Sequence, residues 1–132
     1  MNAQPKEKHL ELIQGVITRM ANNGFLLKAW SVTLVAAVLA LSADKPSPSL
    51  LLIGLLPALL FWGLDGYFLA QERLFRDLYN RVIDPAQQAP DFSLGHAGLT
   101  PLGWLKATFS LTLVPFHGVL TGVVIGLVIS AA

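Results

Sequence analysis

Three stretches of this chain are apolar over lengths that a water-soluble fold does not use. Residues 25–43 contain a single charge, Lys28; residues 50–70 contain a single charge, Asp65; residues 109–130 contain neither acid nor base apart from His117. Spanning a bilayer takes about 20 consecutive apolar residues, and 25–43, rising about 1.5 Å per residue, reaches close to the ~30 Å hydrocarbon thickness. Lys28 stands near the start of its span, where a lysine can reach the interface with its ammonium. The composition agrees: 54% of residues are hydrophobic and 13% charged, with a mean hydropathy of +0.60. Soluble domains are about one quarter charged. The chain therefore reads as an all-α membrane protein, residues 1–132 forming one membrane domain with three transmembrane helices.

The segments around the spans are readable from their periodicity. Over residues 6–23, Leu10, Ile13, Val16, Ile17 and Met20 recur at helical spacing opposite Lys8, Glu11, Gln14 and Arg19, which makes an amphipathic helix. Asn22, Asn23 and Gly24 offer a break before the first span at 25–43. Two prolines in 44–49 make a tight polar turn there. The second span, 50–70, contains Pro57 and is expected to stay helical to residue 83. Glu72–Arg76, Arg73–Asp77 and Asp77–Arg81 are opposite charges at i,i+4, and Leu74, Leu78 and Val82 make an apolar stripe. Asp84 and Pro85 end it, 84–99 reads as a loop, and a third helix starts at Thr100 and Pro101 and continues through the span at 109–130.

Charge location sets the expected orientation. Lys6, Lys8, Arg19 and Lys28 precede or open the first span, Arg73, Arg76, Arg81 and Lys106 flank the second loop, and Lys45 alone is basic on the other side. Basic residues are retained in the cytoplasm. The expectation is a multi-pass inner-membrane protein with a cytoplasmic N-terminus and an external C-terminus. Ala40, Leu41 and Ser42 mimic a signal-peptide cleavage site, but the 24-residue leading helix with two glutamates and the long apolar run argue for an uncleaved span.

Nine Lys and Arg against eight Asp and Glu leave a net charge of +1, which provides no stripe for nucleic acid. The absence of cysteine excludes disulfides, thiolate metal sites and thiol nucleophiles. His9, His96 and His117 lack paired ligand spacing, so no metal and no cofactor is expected, and no catalytic or nucleotide-binding motif is present. The expectation is a protein that is not an enzyme. Trp30, Trp62, Tyr67 and Trp104 fall near span ends and read as interfacial anchors.

Three polar residues inside the apolar stretches stand out. Asp65 needs a partner or a proton, because charge is expensive in hydrocarbon. Lys28 lies at a comparable depth, so an Asp65–Lys28 pair is reasonable, either as a structural lock on helix register or as an ion or proton site. His117, read as mid-span beside a kinking Pro115, is either a pH-sensitive or proton-relaying group, or a neutral imidazole bonded to Thr112, Thr121 or a neighbouring helix. Gly118, Gly122 and Gly126, followed by Ser130, repeat every four residues, a doubled GxxxG face for close helix packing, either between copies or inside one protomer. Ala36 with Ala40, and Thr33 with Ala37, form shorter small faces.

The segments HLELIQGVITRMANNGFLLKAWSVTLVAAVLAL (His9–Leu41) and FWGLDGYFLAQERLFRDLYNRV (Phe61–Val82) resemble a family of small bacterial inner-membrane proteins, over about half the chain. More loosely, the architecture is similar to helical membrane modules that serve as effectors in bacterial anti-phage systems, where oligomers perturb the membrane after a cytoplasmic signal. Together these imply a homo-oligomer in the lipid bilayer that forms or regulates a pore. The alternative is a structural or regulatory subunit docking a cytoplasmic protein through residues 6–23 and 71–84. A small membrane enzyme or proton-coupled carrier using Asp65 and His117 is a third class.

Overall fold

The computed structural model describes residues 3–84, 86 and 98–132. Among the described residues five helices follow one another: α1 (Ala3–Leu41), α2 (Pro48–Ile53), α3 (Leu55–Ile83), α4 (Pro101–Thr108) and α5 (Val114–Ala131). Among the described residues three helical stretches, Gln4–Leu41, Pro48–Ile83 and Val114–Ala131, are long and apolar enough to cross a membrane. The protein is an all-α membrane protein. Its surface supports this: Leu34, Leu56, Leu60, Val119, Ile125 and Ile129 are among many large apolar side chains left exposed. In water such an area would mark an unstable or sticky fold, whereas in lipid it is the solvated surface.

The break that Asn22, Asn23 and Gly24 offer is not used. α1 runs unbroken through it, so the amphipathic segment and the first span are one helix of 39 residues. Asparagine and glycine each weaken a helix by only about 1 kcal/mol, and packing of this stretch against α3 overrides that cost. The second span divides at Gly54. Pro57 has no N–H for the carbonyl of Ile53 and its ring crowds that carbonyl, so the chain tightens there, with Gly54 N–H donating to Leu51 O at 3.0 Å.

The third helix also departs from expectation. It is not continuous from Thr100 to Ser130: α4 ends at Thr108, residues 109–113 form a tight turn, and α5 starts at Val114. Pro115 explains the turn. A proline in a continuing helix would clash with the carbonyl of Leu111, but in the first turn of a new helix its missing N–H costs nothing. Pro115 therefore starts α5 instead of kinking it, and His117 moves from mid-span to the first turn of the membrane helix. At the other end of the segment, Thr100 caps α4, its hydroxyl accepting from Gly103 N–H at 3.0 Å. Residues 85 and 87–97 lie outside the described residues, and with them most of the expected 84–99 loop and His96.

α1 and α3 pair antiparallel along most of their length. In the membrane part Val35, Ala58 and Val124 pack together, bringing in α5. Beyond the start of α5, α1 and α3 continue as a two-helix stalk with its own core of Ile13, Ile17, Leu78 and Val82, flanked by Leu10, Phe75 and Tyr79. The apolar stripes of the two segments thus bury each other. Lys6 Nζ closes the end of α3 by donating to Ile83 O and Asp84 O at 3.3 and 3.4 Å, satisfying carbonyls that a helix C-terminus leaves open. Of the i,i+4 pairs, Glu72–Arg76 closes at 2.8 Å.

Candidate functional site

The pairing of α1, α3 and the first turn of α5 brings Lys28, Asp65 and His117 to one point. Asp65 is 2% exposed and His117 fully buried. Lys28 Nζ lies 2.5 Å from Asp65 Oδ2, and His117 Nε2 lies 2.7 Å from the same oxygen. Each helix supplies one member, so the cluster ties all three spans together at a single carboxylate. An ionised carboxylate only accepts. Beside Lys28, Asp65 as a carboxylate accepts an ammonium N–H and, with His117 in its Nε2–H tautomer, a second bond from the ring; His117 Nδ1 is buried with no hydrogen-bond partner among the described residues.

The other carboxylate oxygen explains Gly24. A Cβ built there would stand 2.8 Å from Asp65 Oδ1, closer than real side chains come. Glycine at this position lets α1 approach the carboxylate far enough for Lys28, four residues on, to reach it. The Asn-Asn-Gly sequence that suggested a break is thus a close-approach site.

Two aromatic rings pack against the imidazole. Trp62 lies parallel to it, with centroids 5.9 Å apart and planes 9° apart, and Phe116 meets it edge-on at 5.1 Å. Such arrangements are the favoured ones for aromatic pairs. Trp62 is fixed in turn, since its Nε1–H donates to Thr108 O at 2.8 Å and Phe109 meets its ring at 5.7 Å. The Thr108 carbonyl is available because α4 ends there. Trp104 answers from α4, donating its Nε1–H to Gly63 O at 2.9 Å. Both indoles therefore serve the α3–α4 contact, a role their positions near span ends did not show. Trp30 and Tyr67 remain exposed.

A cavity of about 200 Å³ borders the cluster, lined by Met20, Gly24, Lys28, Asp65, Glu72 and Thr112 among others. It follows the α1–α3 seam from Asp65 toward the stalk. On the opposite side the polar cluster ends at the layer of Val35, Ala58 and Val124, each no more than 2% exposed. Between the two, Ser31 on α1 and Thr121 on α5 are buried and their hydroxyls lack partners among the described residues. Helix periodicity alone could have flagged them: Ser31 follows Lys28 by three residues and Thr121 follows His117 by four.

Gly118, Gly122, Gly126 and Ser130 are not part of this site. A Cβ built on Gly122 or Gly126 meets nothing within 4 Å, and one on Gly118 meets only Val114 of its own helix. The face is open within the protomer, and Ala36, Ala37 and Ala40 on α1 are likewise exposed. No protein-family model, curated protein or solved structure matches the chain.

Proposed function

We propose that the protein is a non-enzymatic, oligomeric membrane protein whose copies meet along the glycine face of α5 and form or control a permeation path between them. The observation that carries this reading is the open space over Gly122 and Gly126. In lipid, apolar side chains gain nothing by leaving solvent, so a run of glycines with no neighbour is useful where another backbone comes close. A path through one protomer has no support, since Val35, Ala58 and Val124 close the bundle. A permeation path would therefore run between copies. The likeness to anti-phage effectors rests on architecture and gains no observation of its own.

The orientation belongs to the same proposal. Lys6, Lys8, Arg19, Arg73, Arg76 and Arg81 all lie on the stalk formed by the start of α1 and the end of α3, and retention of basic residues assigns that end to the cytoplasm. Reporter fusions after Ile83 should read cytoplasmic, and fusions within residues 44–49 external. The opposite pattern would invert the assignment.

Assembly is tested by mass in nanodiscs. The wild type should run at a multiple of 14.2 kDa, and Gly122→Leu should shift it to a single copy with unchanged helicity, because the new side chain enters empty space within the protomer. Leakage of dye from liposomes should fall with the loss of assembly. A wild type that is a single copy overturns the proposal, and leakage retained by the single-copy variant would remove the path from the interface.

One observation favours a second reading, a subunit that docks a cytoplasmic protein. The stalk has its own core and a shallow depression of about 390 Å³ lined by Glu7, Leu10, Glu11, Gln14 and Tyr79. A stoichiometric companion that co-purifies with the wild type and is lost on Glu7→Lys/Glu11→Lys would support it.

A further inference from the structure

We propose that α4 and the turn after it form an arm lying in the stalk-side leaflet without crossing it, its outer face among the acyl chains and Lys106 on the phosphate of an anionic lipid. Helical register divides α4 into two faces. On the inner one Trp104 bonds to Gly63 O, Thr108 packs on Gly66, and Ala107 between them is buried. Leu102, Leu105 and Phe109, spaced i, i+3, i+7, make the opposite stripe and are all exposed, and Leu111 in the turn is 92% exposed. Lys106, exposed one step off that stripe, is the one charge of α4. A helix apolar on both faces belongs in the interior of a large protein or in lipid. The 8 residues of α4, rising about 1.5 Å each, cover about 12 Å, far short of the ~30 Å hydrocarbon thickness.

The contact with α3 sets the depth. Gly66, which meets Thr108, precedes Glu72, the next charged residue of α3, by six residues, about 9 Å of helix. The arm is thus held just inside the level at which α3 turns polar. Leu60 and Leu64, exposed on α3 within a turn of Gly63, continue its outer face into the lipid-facing surface of the bundle. The backbone of the turn also suits a medium without water, where every open N–H or C=O is costly. The N–H groups of Phe109, Ser110, Leu113 and Val114 donate to the carbonyls of Leu105, Ala107 and Ser110 at 2.9–3.2 Å. The Thr108 carbonyl, freed where α4 ends, takes the Trp62 indole N–H at 2.8 Å, which joins the arm to the ring that lies against His117.

Lipid, and not a second copy, is what such a face fits. Leucine and phenylalanine side chains hold a neighbouring backbone away, and in a bilayer they gain nothing by exchanging acyl chains for one another. Lys106 has no acidic partner among the described residues. A lysine at this depth extends its ammonium to the headgroup level, where the phosphate of an anionic lipid is the counter-charge at hand.

The chain has no cysteine, so a single introduced one places a reporter. Leu105→Cys and Leu111→Cys, each carrying a nitrobenzoxadiazole label on the full chain in liposomes, should be quenched by lipids with a nitroxide on the acyl chain as the same label is at Leu60→Cys. Aqueous cobalt(II) should leave them bright and quench the label at Gln14→Cys on the stalk. All four positions are exposed, so the label enters open space. For the headgroup, nitroxide-bearing phosphatidylglycerol diluted into phosphatidylcholine should quench Leu105→Cys about fivefold more per mole than nitroxide-bearing phosphatidylcholine. Lys106→Gln should bring that ratio to parity, and Lys106→Arg should keep it. Quenching of the arm by cobalt overturns its immersion. Quenching by neither reagent puts protein over the face, a second copy or another part of the chain, and overturns lipid as the occupant. A ratio unchanged in Lys106→Gln overturns the phosphate contact.

Discussion

Gly66→Ala should lower the thermal unfolding midpoint of the detergent-solubilised protein and release α4 from α3. A Cβ built on Gly66 overlaps Thr108 Oγ1 and stands 2.9 Å from Thr108 Cβ and 3.0 Å from its Cα. Rotating the threonine side chain clears the hydroxyl but neither of the other two atoms, so the backbone of α4 has to move. Overpacking of this kind costs about 1–3 kcal/mol and more where backbone resists. Against it stands the helix preference for alanine over glycine, about 1 kcal/mol, which sets the sign test. Gly122→Ala has the same propensity gain and meets nothing within 4 Å, so it should leave the protomer as stable or slightly more so. Because α4 is held by Trp62 to Thr108 O and by Trp104 to Gly63 O, the loss in Gly66→Ala should also appear in the near-ultraviolet dichroism of the tryptophans. Equal midpoints for Gly66→Ala and Gly122→Ala would mean that the α3–α4 contact is looser than observed.

How much of this was legible in the residues depends on what each signal measures. Three spans were legible because apolar length is a direct measure of what solvent a segment tolerates. The Lys28–Asp65 pair was legible for a related reason: each is the lone charge in its span, and opposite charges at matching depth have few other ways to be compensated. His117 was misplaced because its depth depends on where α5 begins. Phe109, Leu111 and Leu113 are as apolar as any helix in the chain, so composition hides the turn they form, and Pro115 is equally at home as a kink or as a first-turn residue. The stripes Ile13–Ile17 and Leu78–Val82 were visible as stripes, but periodicity says which side of a helix is buried and not what buries it. Gly24 and Gly66 were the least legible. A glycine needed for close approach and one that weakens a helix look alike until the opposing atom is known, here Asp65 Oδ1 and the Thr108 backbone.

The cluster at Asp65 should show costs that grow faster than additively as Lys28 and His117 are both removed. Lys28→Met leaves a carboxylate that is 2% exposed but still 2.7 Å from an imidazole able to take a proton, so the loss should be modest. His117→Gln leaves the Lys28 pair, with the amide donating in place of Nε2–H, and should also be modest. The double variant Lys28→Met/His117→Gln has no cation left. Asp65 must then stay ionised without compensation or bind a proton of its own, and stranding one member of a buried pair typically costs about 3–5 kcal/mol. That figure should exceed the sum of the two single losses, a coupling on the order of 0.5–3 kcal/mol between groups that share an atom. Adding Asp65→Asn to the double variant keeps the shape against Gly24 and removes the charge, so more than half of the lost stability should return. Thermal or urea unfolding in one detergent across the four variants reads all of this. If the single losses simply add, and Asp65→Asn returns nothing, the shared oxygen is a geometric coincidence and the three spans are held together by packing alone.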